Sequence, residues 1–206
     1  IEATNTLGLS GDDVAEQIEL PFTFYLYENP YSTVWVCTNG YVSFSAYSGS
    51  SSYCPYHNSA IISASYPAQV IAPFWDDLVV DSSSSINTLY LSDPSRFIIE
   101  WRNIRPYAGS QRWDVEMILH VNGNIQFEYR NIDNDTREKG ISATVGLEDD
   151  QANYGYEWSY NEMIDMIASD FSSPSGIVFV RPNAPPDAVS DEYDVEVGEV
   201  LTIEAP

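Results

Sequence analysis

Hydrophobic and polar residues alternate with a period of two along most of the first 181 positions. Phe97, Ile99 and Trp101 share one face of a segment whose other face carries Glu100 and Arg102. Val115, Met117, Leu119 and Val121 share a face of the next segment, and Ile125, Phe127 and Tyr129 a face of the one after. Successive strand side chains point to opposite sides, so this spacing is that of half-buried β-strands. Asn122-Gly123 lies between the last two segments and predicts a type I′ hairpin, in which both central residues take positive φ. Further strands are expected over Glu19–Tyr27, Thr33–Thr38, Tyr41–Ser45, Val70–Leu78, Asn87–Leu91, Ile141–Glu148 and Ile177–Arg181, separated by Gly, Pro, Ser and Asn clusters. Tyr160–Ser169 places Met163, Ile164 and Ile167 at helical spacing and is a candidate for one short helix. Strands without interleaved helices stack as antiparallel sheets, so the expected fold is all-β, an antiparallel β-sandwich.

The pattern changes after Arg181. Residues 182–190 open with Pro182-Asn183-Ala184-Pro185-Pro186, the composition of a stiff, extended linker. In residues 191–206, Tyr193, Val195 and Val197 alternate with acidic residues, Gly198 interrupts, and Val200, Leu201 and Ile203 resume the apolar run. This reads as strand, turn and strand, too short to form a core. Two readings stand. One is an extended arm that donates a strand to a neighbour's sheet; the other is the beginning of a further domain, since the segment is similar to the opening of Ig-like or cadherin-like adhesin repeats.

The chain has 206 residues, enough for one domain over residues 1–181 that needs no metal or dense disulfide framework to fold. It carries 31 acidic and 8 basic residues, a net charge of −23, and Lys139 is its single lysine. Such a field repels nucleic-acid phosphates and anionic lipid surfaces, which excludes nucleic acid as a partner. No apolar run approaches the roughly 20 residues of a membrane-spanning helix, so no membrane insertion is expected. The sequence opens on Ile1 rather than Met, as expected of a mature secreted chain after leader removal or of a trimmed one. With the acidity and the Ser-rich loop, this favours an extracellular setting and a Cys37–Cys54 disulfide, stabilising by roughly 3 kcal/mol in the chain-entropy picture.

Three runs taken together resemble the nidogen-like extracellular domains: Thr38-Asn39-Gly40-Tyr41-Val42-Ser43-Phe44, Val70-Ile71-Ala72-Pro73-Phe74-Trp75-Asp76-Asp77-Leu78, and Ile98-Ile99-Glu100-Trp101. The Val115–Tyr129 pair of segments and Ala143–Glu148 fit the same order, and the resemblance covers residues 18 to 181. It implies an extracellular β-rich module used in adhesion or matrix assembly, with no catalytic residues to carry over. The animal members' EGF-type cysteine modules are missing here, so prokaryotic surface proteins are the better comparison.

Candidate chemistry is sparse. The two histidines, His57 and His120, stand in neither a His-Glu-x-x-His motif nor beside a Gly-x-Ser-x-Gly elbow, and the expectation is no enzyme. No cofactor is required; calcium is the candidate, with two possible oxygen sets. Asn131, Asp133 and Asp135 recur at alternate positions, although Thr136 and Ser142 stand where an EF-hand needs Gly and a bidentate acid. The plainer reading is a solvated turn, with Asn134 as a glycosylation acceptor. Asp76, Asp77 and Asp81 form the second set, against a plainer structural role for Asp76 or Asp77. Tyr53, Tyr56, Tyr154, Tyr156 and Trp158 are candidates for stacking on a glycan or contacting a protein receptor, or for ordinary core and edge positions. Two function classes remain: a structural or adhesive surface module, a filament subunit joined to copies of itself by the arm or a piece of a longer surface protein, and a glycan- or protein-binding module using the Tyr-rich loops.

Overall fold

The computed structural model describes residues 1–47, 52–63, 67–132, 136–149, 153–164, 175–181 and 200–204. In chain order the strands are β1 (Asn5–Leu7), β2 (Gly11–Asp12), β3 (Ala15–Leu26), β4 (Asn29–Cys37), β5 (Tyr41–Ser43), β6 (Val70–Trp75), β7 (Leu78–Val80), β8 (Ser85–Ser92), β9 (Ser95–Pro106), β10 (Trp113–His120), β11 (Ile125–Arg130), β12 (Thr144–Glu148), β13 (Gly155–Tyr160), β14 (Ser175–Val180) and β15 (Val200–Glu204). One sheet runs β1-β8-β9-β10-β11-β14-β15, with β7 also pairing β9 and β2 pairing β7. The other runs β13-β12-β6-β5-β4-β3. The pairing is antiparallel except for β14 and β15, which run parallel. The fold is the expected all-β sandwich.

The period-two pattern explains the core. Ile99, Trp101, Val115, Met117, Leu119, Ile125, Phe127, Tyr129, Ile177 and Phe179 are buried on one sheet, and Phe24, Leu26, Val34, Val36, Val42, Ile71, Phe74, Val145 and Leu147 on the other. Phe74 lies 5.2 Å from Trp113, ring centre to ring centre. Two polar bonds join aromatic side chains to distant strands: Tyr129 Oη donates to Pro73 O (2.8 Å) and Trp101 Nε1 to Cys37 O (2.8 Å). Tyr129 and Trp101 thus each find a partner for the polar atom while contributing about 1.5–3 kcal/mol of apolar burial.

Strand β6 is buried on both faces along its whole length. Its outer face packs with Cys37, Tyr41, Cys54 and Ile61, beneath the segment 52–63. That segment is fastened at several points. Asn58 Nδ2 donates to Ser142 O and Thr144 Oγ1, Ile61 N–H to Glu157, and Ser63 N–H to Glu148.

Several expectations differ from the structure. The β10–β11 turn is wider than type I′: Gly123 N–H bonds His120 O (2.9 Å), and of the Asn-Gly pair only Gly123 has positive φ. Val121 N–H bonds Ser95 O and so continues the β9–β10 register one step past His120, but at this end of the ladder Val121 is half exposed rather than buried like Leu119. No helix occurs among the described residues. Tyr160 ends β13, and long-range bonds of Asn161 N–H to Ala143 O and Ile164 N–H to Lys139 O hold the chain out of a helical path. Residues 165–169 lie outside the described set, as do linker residues 182–190. The Val70–Leu78 segment divides into β6 and β7, because Asn39 Oδ1 accepts Leu78 N–H and redirects the chain to the other sheet. Residues 1–17, outside the resemblance, belong to the sandwich through β1, β2 and the start of β3.

The outer face of the first sheet carries a row of three glutamates on adjacent strands: Glu100 and Glu128 both pair in register with Glu116. Glu100 is fully buried and Glu116 is 1% exposed. Arg102 and Arg130 pair with Glu100, and Ala3 N–H donates to it. The Ile1 amino group stands 3.5 Å from Glu116, and Arg130 3.9 Å. Burial pushes the Glu116 carboxyl up to about 7, with Glu128 and Glu100 adding to the effect and the Ile1 amine and Arg130 opposing it. A carboxyl whose folded pKa is raised stabilises the fold below its ordinary value of 4.5, and that contribution is lost as pH rises through 7. Glu116→Gln is therefore expected to raise the thermal midpoint at pH 8 and to converge with the wild type near pH 5. An equal shift at both values would show that packing, not ionisation, sets the cost.

Candidate functional site

A dense set of polar contacts centres on Thr38-Asn39-Gly40, the turn between β4 and β5. Asn39 is completely buried. Its Nδ2 donates to Asp13 Oδ1 (2.9 Å) and Cys54 O (3.3 Å), its Oδ1 accepts Leu78 N–H (2.9 Å), and its backbone O accepts Asp76 N–H (3.3 Å). Thr38 exchanges two further bonds with Val14. Gly40 has φ of 76°, and a Cβ there would lie 2.0 Å from Phe74 O. Only glycine fits, because the backbone of β6 leaves no room for a Cβ, and the left-handed region disfavours one as well. The Cys37–Cys54 disulfide is formed beside this turn, with Cα atoms 5.9 Å apart, and anchors the covering segment to the end of β4.

This turn brings Asp12, Asp13 and Asp77 together. A carboxylate oxygen from each lies within 4.8 Å of the others. Asp12 ends β2, Asp13 follows it with φ of 52°, and Asp77 follows β6. Burial raises the Asp77 carboxyl above its ordinary range, and Asp12, Asp13 and Asp76 push it the same way. Asp12 is also raised, by burial and then by Asp13. Three such oxygens are a donor set for a hard cation.

The other predicted carboxylates have different roles. Asp76 Oδ1 accepts Asp77 N–H (2.8 Å), and its Oδ2 accepts Ser142 Oγ (2.7 Å) and Arg137 Nε (3.4 Å), a structural position. Asp81 is held by Arg105 (2.8 Å) and Arg112 (2.7 Å), whose hydrogen bonds keep its carboxyl well below the usual carboxylate range. It therefore stands apart from Asp77 as a ligand: its charge is already matched. Asn131 Nδ2 donates to Asp114 Oδ2 (2.5 Å), which employs Asn131 in closing β11. Asp133, Asn134 and Asp135 lie outside the described residues, as do Tyr193, Val195 and Val197.

The aromatic candidates separate into groups. Tyr53 meets Tyr47 edge-on at 5.0 Å, and Tyr56 packs on His57 at 3.9 Å. Burial raises the Tyr53 hydroxyl, with Asp13, Tyr47, Tyr56 and Asp12 adding to it, which sets this ring beside the carboxylates. Tyr154 lies instead against Tyr27 and is 59% exposed. Tyr156 packs edge-on against Phe179 (5.7 Å), and both Tyr156 and Trp158 pack on the core. Those two are structural. Asp12 and Asp13 are visible in the sequence as an acidic pair, but only the β2–β7 pairing brings them to Asp77. Val200, Leu201 and Ile203 lie in β15, in register with Gly176, Ile177 and Phe179 of the same chain.

These features define a two-sheet β-sandwich module with a disulfide-pinned cover and a buried Thr-Asn-Gly turn. The sequence model of the family described as NIDO related matches residues 1–173, and the chain belongs to that family. No curated protein and no solved structure gives a significant match.

Two substitutions test the turn. Gly40→Ala is expected to cost about 3 kcal/mol or more, from positive-φ strain and overpacking against β6, measured by denaturant unfolding. Asp77→Asn is expected to raise the thermal midpoint at pH 7 in low salt. Its raised carboxyl stabilises the fold below the ordinary 3.8 and loses that contribution as pH rises through its folded value, so the gain should vanish in acid. A loss of stability at pH 7 would mean that the charge of Asp77 is compensated rather than repelled.

Proposed function

We propose that this chain is a non-enzymatic structural module of the cell exterior, joined to copies of itself by strand donation from its C-terminal arm. Family membership and the disulfide support an extracellular module. The observation that carries the finer reading is β15. Residues 200–204 match the edge of β14 position for position, across a connection of 19 residues. A segment that completes a sheet through backbone bonds can do so in its own chain or in another. Head-to-tail contacts of that kind do not close and run into filaments. No cofactor is required; calcium is a stabiliser, and Asp12, Asp13 and Asp77 are the described carboxylates that converge for it.

A second reading, a glycan- or protein-binding module, is favoured by one observation: Tyr47, Tyr53 and Tyr56 gather beside these carboxylates. Imaging of the full chain and of a chain ending at Asn183, each with and without millimolar calcium, separates the two. Filaments that disappear with the tail are expected, while residues 1–181 remain folded. Monomers under every condition would remove the polymer and leave the aromatic loops as the functional surface. Calcium is further expected to raise the thermal midpoint of the wild type and not of Asp77→Asn.

A further inference from the structure

The ends of the two sheets differ in how they are protected. An uncovered strand edge offers unpaired N–H and C=O groups to any passing chain, and is normally blunted by shortness, charge or proline. Strand β1 has three residues. Strand β3 carries Glu16, Glu19 and Pro21 along its length. Strand β13 carries Glu157 and meets β12 across a bulge at Val145/Gly146. Strand β14 has none of these devices. Its sequence Ser175-Gly176-Ile177-Val178-Phe179-Val180 has no charge and no proline, and it is long enough to pair with a full strand. Ile177 and Phe179 are core residues, so this edge continues the hydrophobic interior to the limit of the sheet.

The occupant of that edge is β15, and the connection to it is far longer than the contact needs. Parallel pairing of Gly176 with Val200 requires the chain to return along β14 and step across one strand spacing, about 13 Å and about 4.8 Å. Residues 181–199 can span up to about 60 Å. Parallel neighbours are usually joined by a helix packed back on the sheet. This connection has three prolines and six acidic residues, the composition of a linker.

We infer that the β14 edge is the acceptor groove for the C-terminal strand of a second copy of this chain, entered in the parallel register Gly176–Val200 to Val180–Glu204. This rests on the strand-donating reading above and supplies its acceptor. The same five-residue ladder forms within a chain or between chains, so exchange trades one set of backbone bonds for an identical one. Leu201 and Ile203 take the register positions beside Ile177 and Phe179 in either case. Each copy that gives its strand away leaves its own β14 open to the next.

Chains carrying Val178→Cys alone and Thr202→Cys alone, positions that are register partners, are mixed and oxidised. A disulfide-linked heterodimer is expected, about tenfold above the yield from the pair Val178→Cys with Leu201→Cys, which are not register partners. Val180→Cys with Glu204→Cys repeats the test if either variant is unstable. A cross-link formed within a chain carrying both Val178→Cys and Thr202→Cys, with no heterodimer from the mixed single variants at any concentration, would falsify the acceptor assignment. Filaments seen in that case would keep the polymer and place its contact elsewhere. Heterodimers without filaments would keep the β14 groove and remove the polymer.

Discussion

Burial of β6 on both faces is the constraint on which the rest of the sandwich depends. A two-layer β protein ordinarily needs one apolar face per sheet, yet Val70, Ala72 and Trp75 lie on the side away from the main core and are buried too. The chain answers this with a third partial layer, residues 52–63, which meets the strands through one antiparallel bridge, Tyr53 with Val14, rather than along a ladder. The segment is instead fixed by the disulfide, by Asn58, and by Glu148 and Glu157 accepting its backbone N–H groups. These fastenings cover a surface that includes Trp75 and Tyr41, among the largest buried side chains of the described residues.

The same strand explains why the acidic site and the fold cannot be separated. Asn39 satisfies atoms of residues 13, 54, 76 and 78, drawing together elements distant in sequence. Asp13 is held by this network, and Asp77 sits where β6 gives way to β7. The close approach of Asp12, Asp13 and Asp77 is thus a product of the wiring that closes the sandwich. Their mutual repulsion is opposed by that wiring, in which Asn39 Nδ2 donates to Asp13 Oδ1.

The fold was largely readable because strand alternation is local: Phe97 to Trp101, Val115 to Leu119 and Ile125 to Tyr129 all bury the face that their spacing predicts. Cys37–Cys54 was readable for a different reason, since two cysteines allow a single pairing. What the sequence concealed is non-local. Glu100, Glu116 and Glu128 look like solvent positions by alternation, and only the covering N-terminal segment buries two of them. Asp81 looks like a companion of Asp77 until Arg105 and Arg112, brought in by β9 and the loop before β10, claim it. Val121 continues the apolar period and the β9–β10 register, yet at the end of the ladder it is half exposed.

The arginines have a consequence for the molecule as a whole. Of seven, six are engaged in ion pairs with carboxylates: Arg102, Arg105, Arg112, Arg130, Arg137 and Arg181. Positive charge is thereby spent on the chain's own acids, and the solvent meets a polyanion with little to offset it. Such a body behaves electrically like a short stretch of polyelectrolyte, wrapped in a counter-ion cloud about 30 Å deep at 0.01 M salt and about 8 Å at 0.15 M. The distance at which two such bodies can lie side by side is then set as much by the surrounding electrolyte as by their shapes.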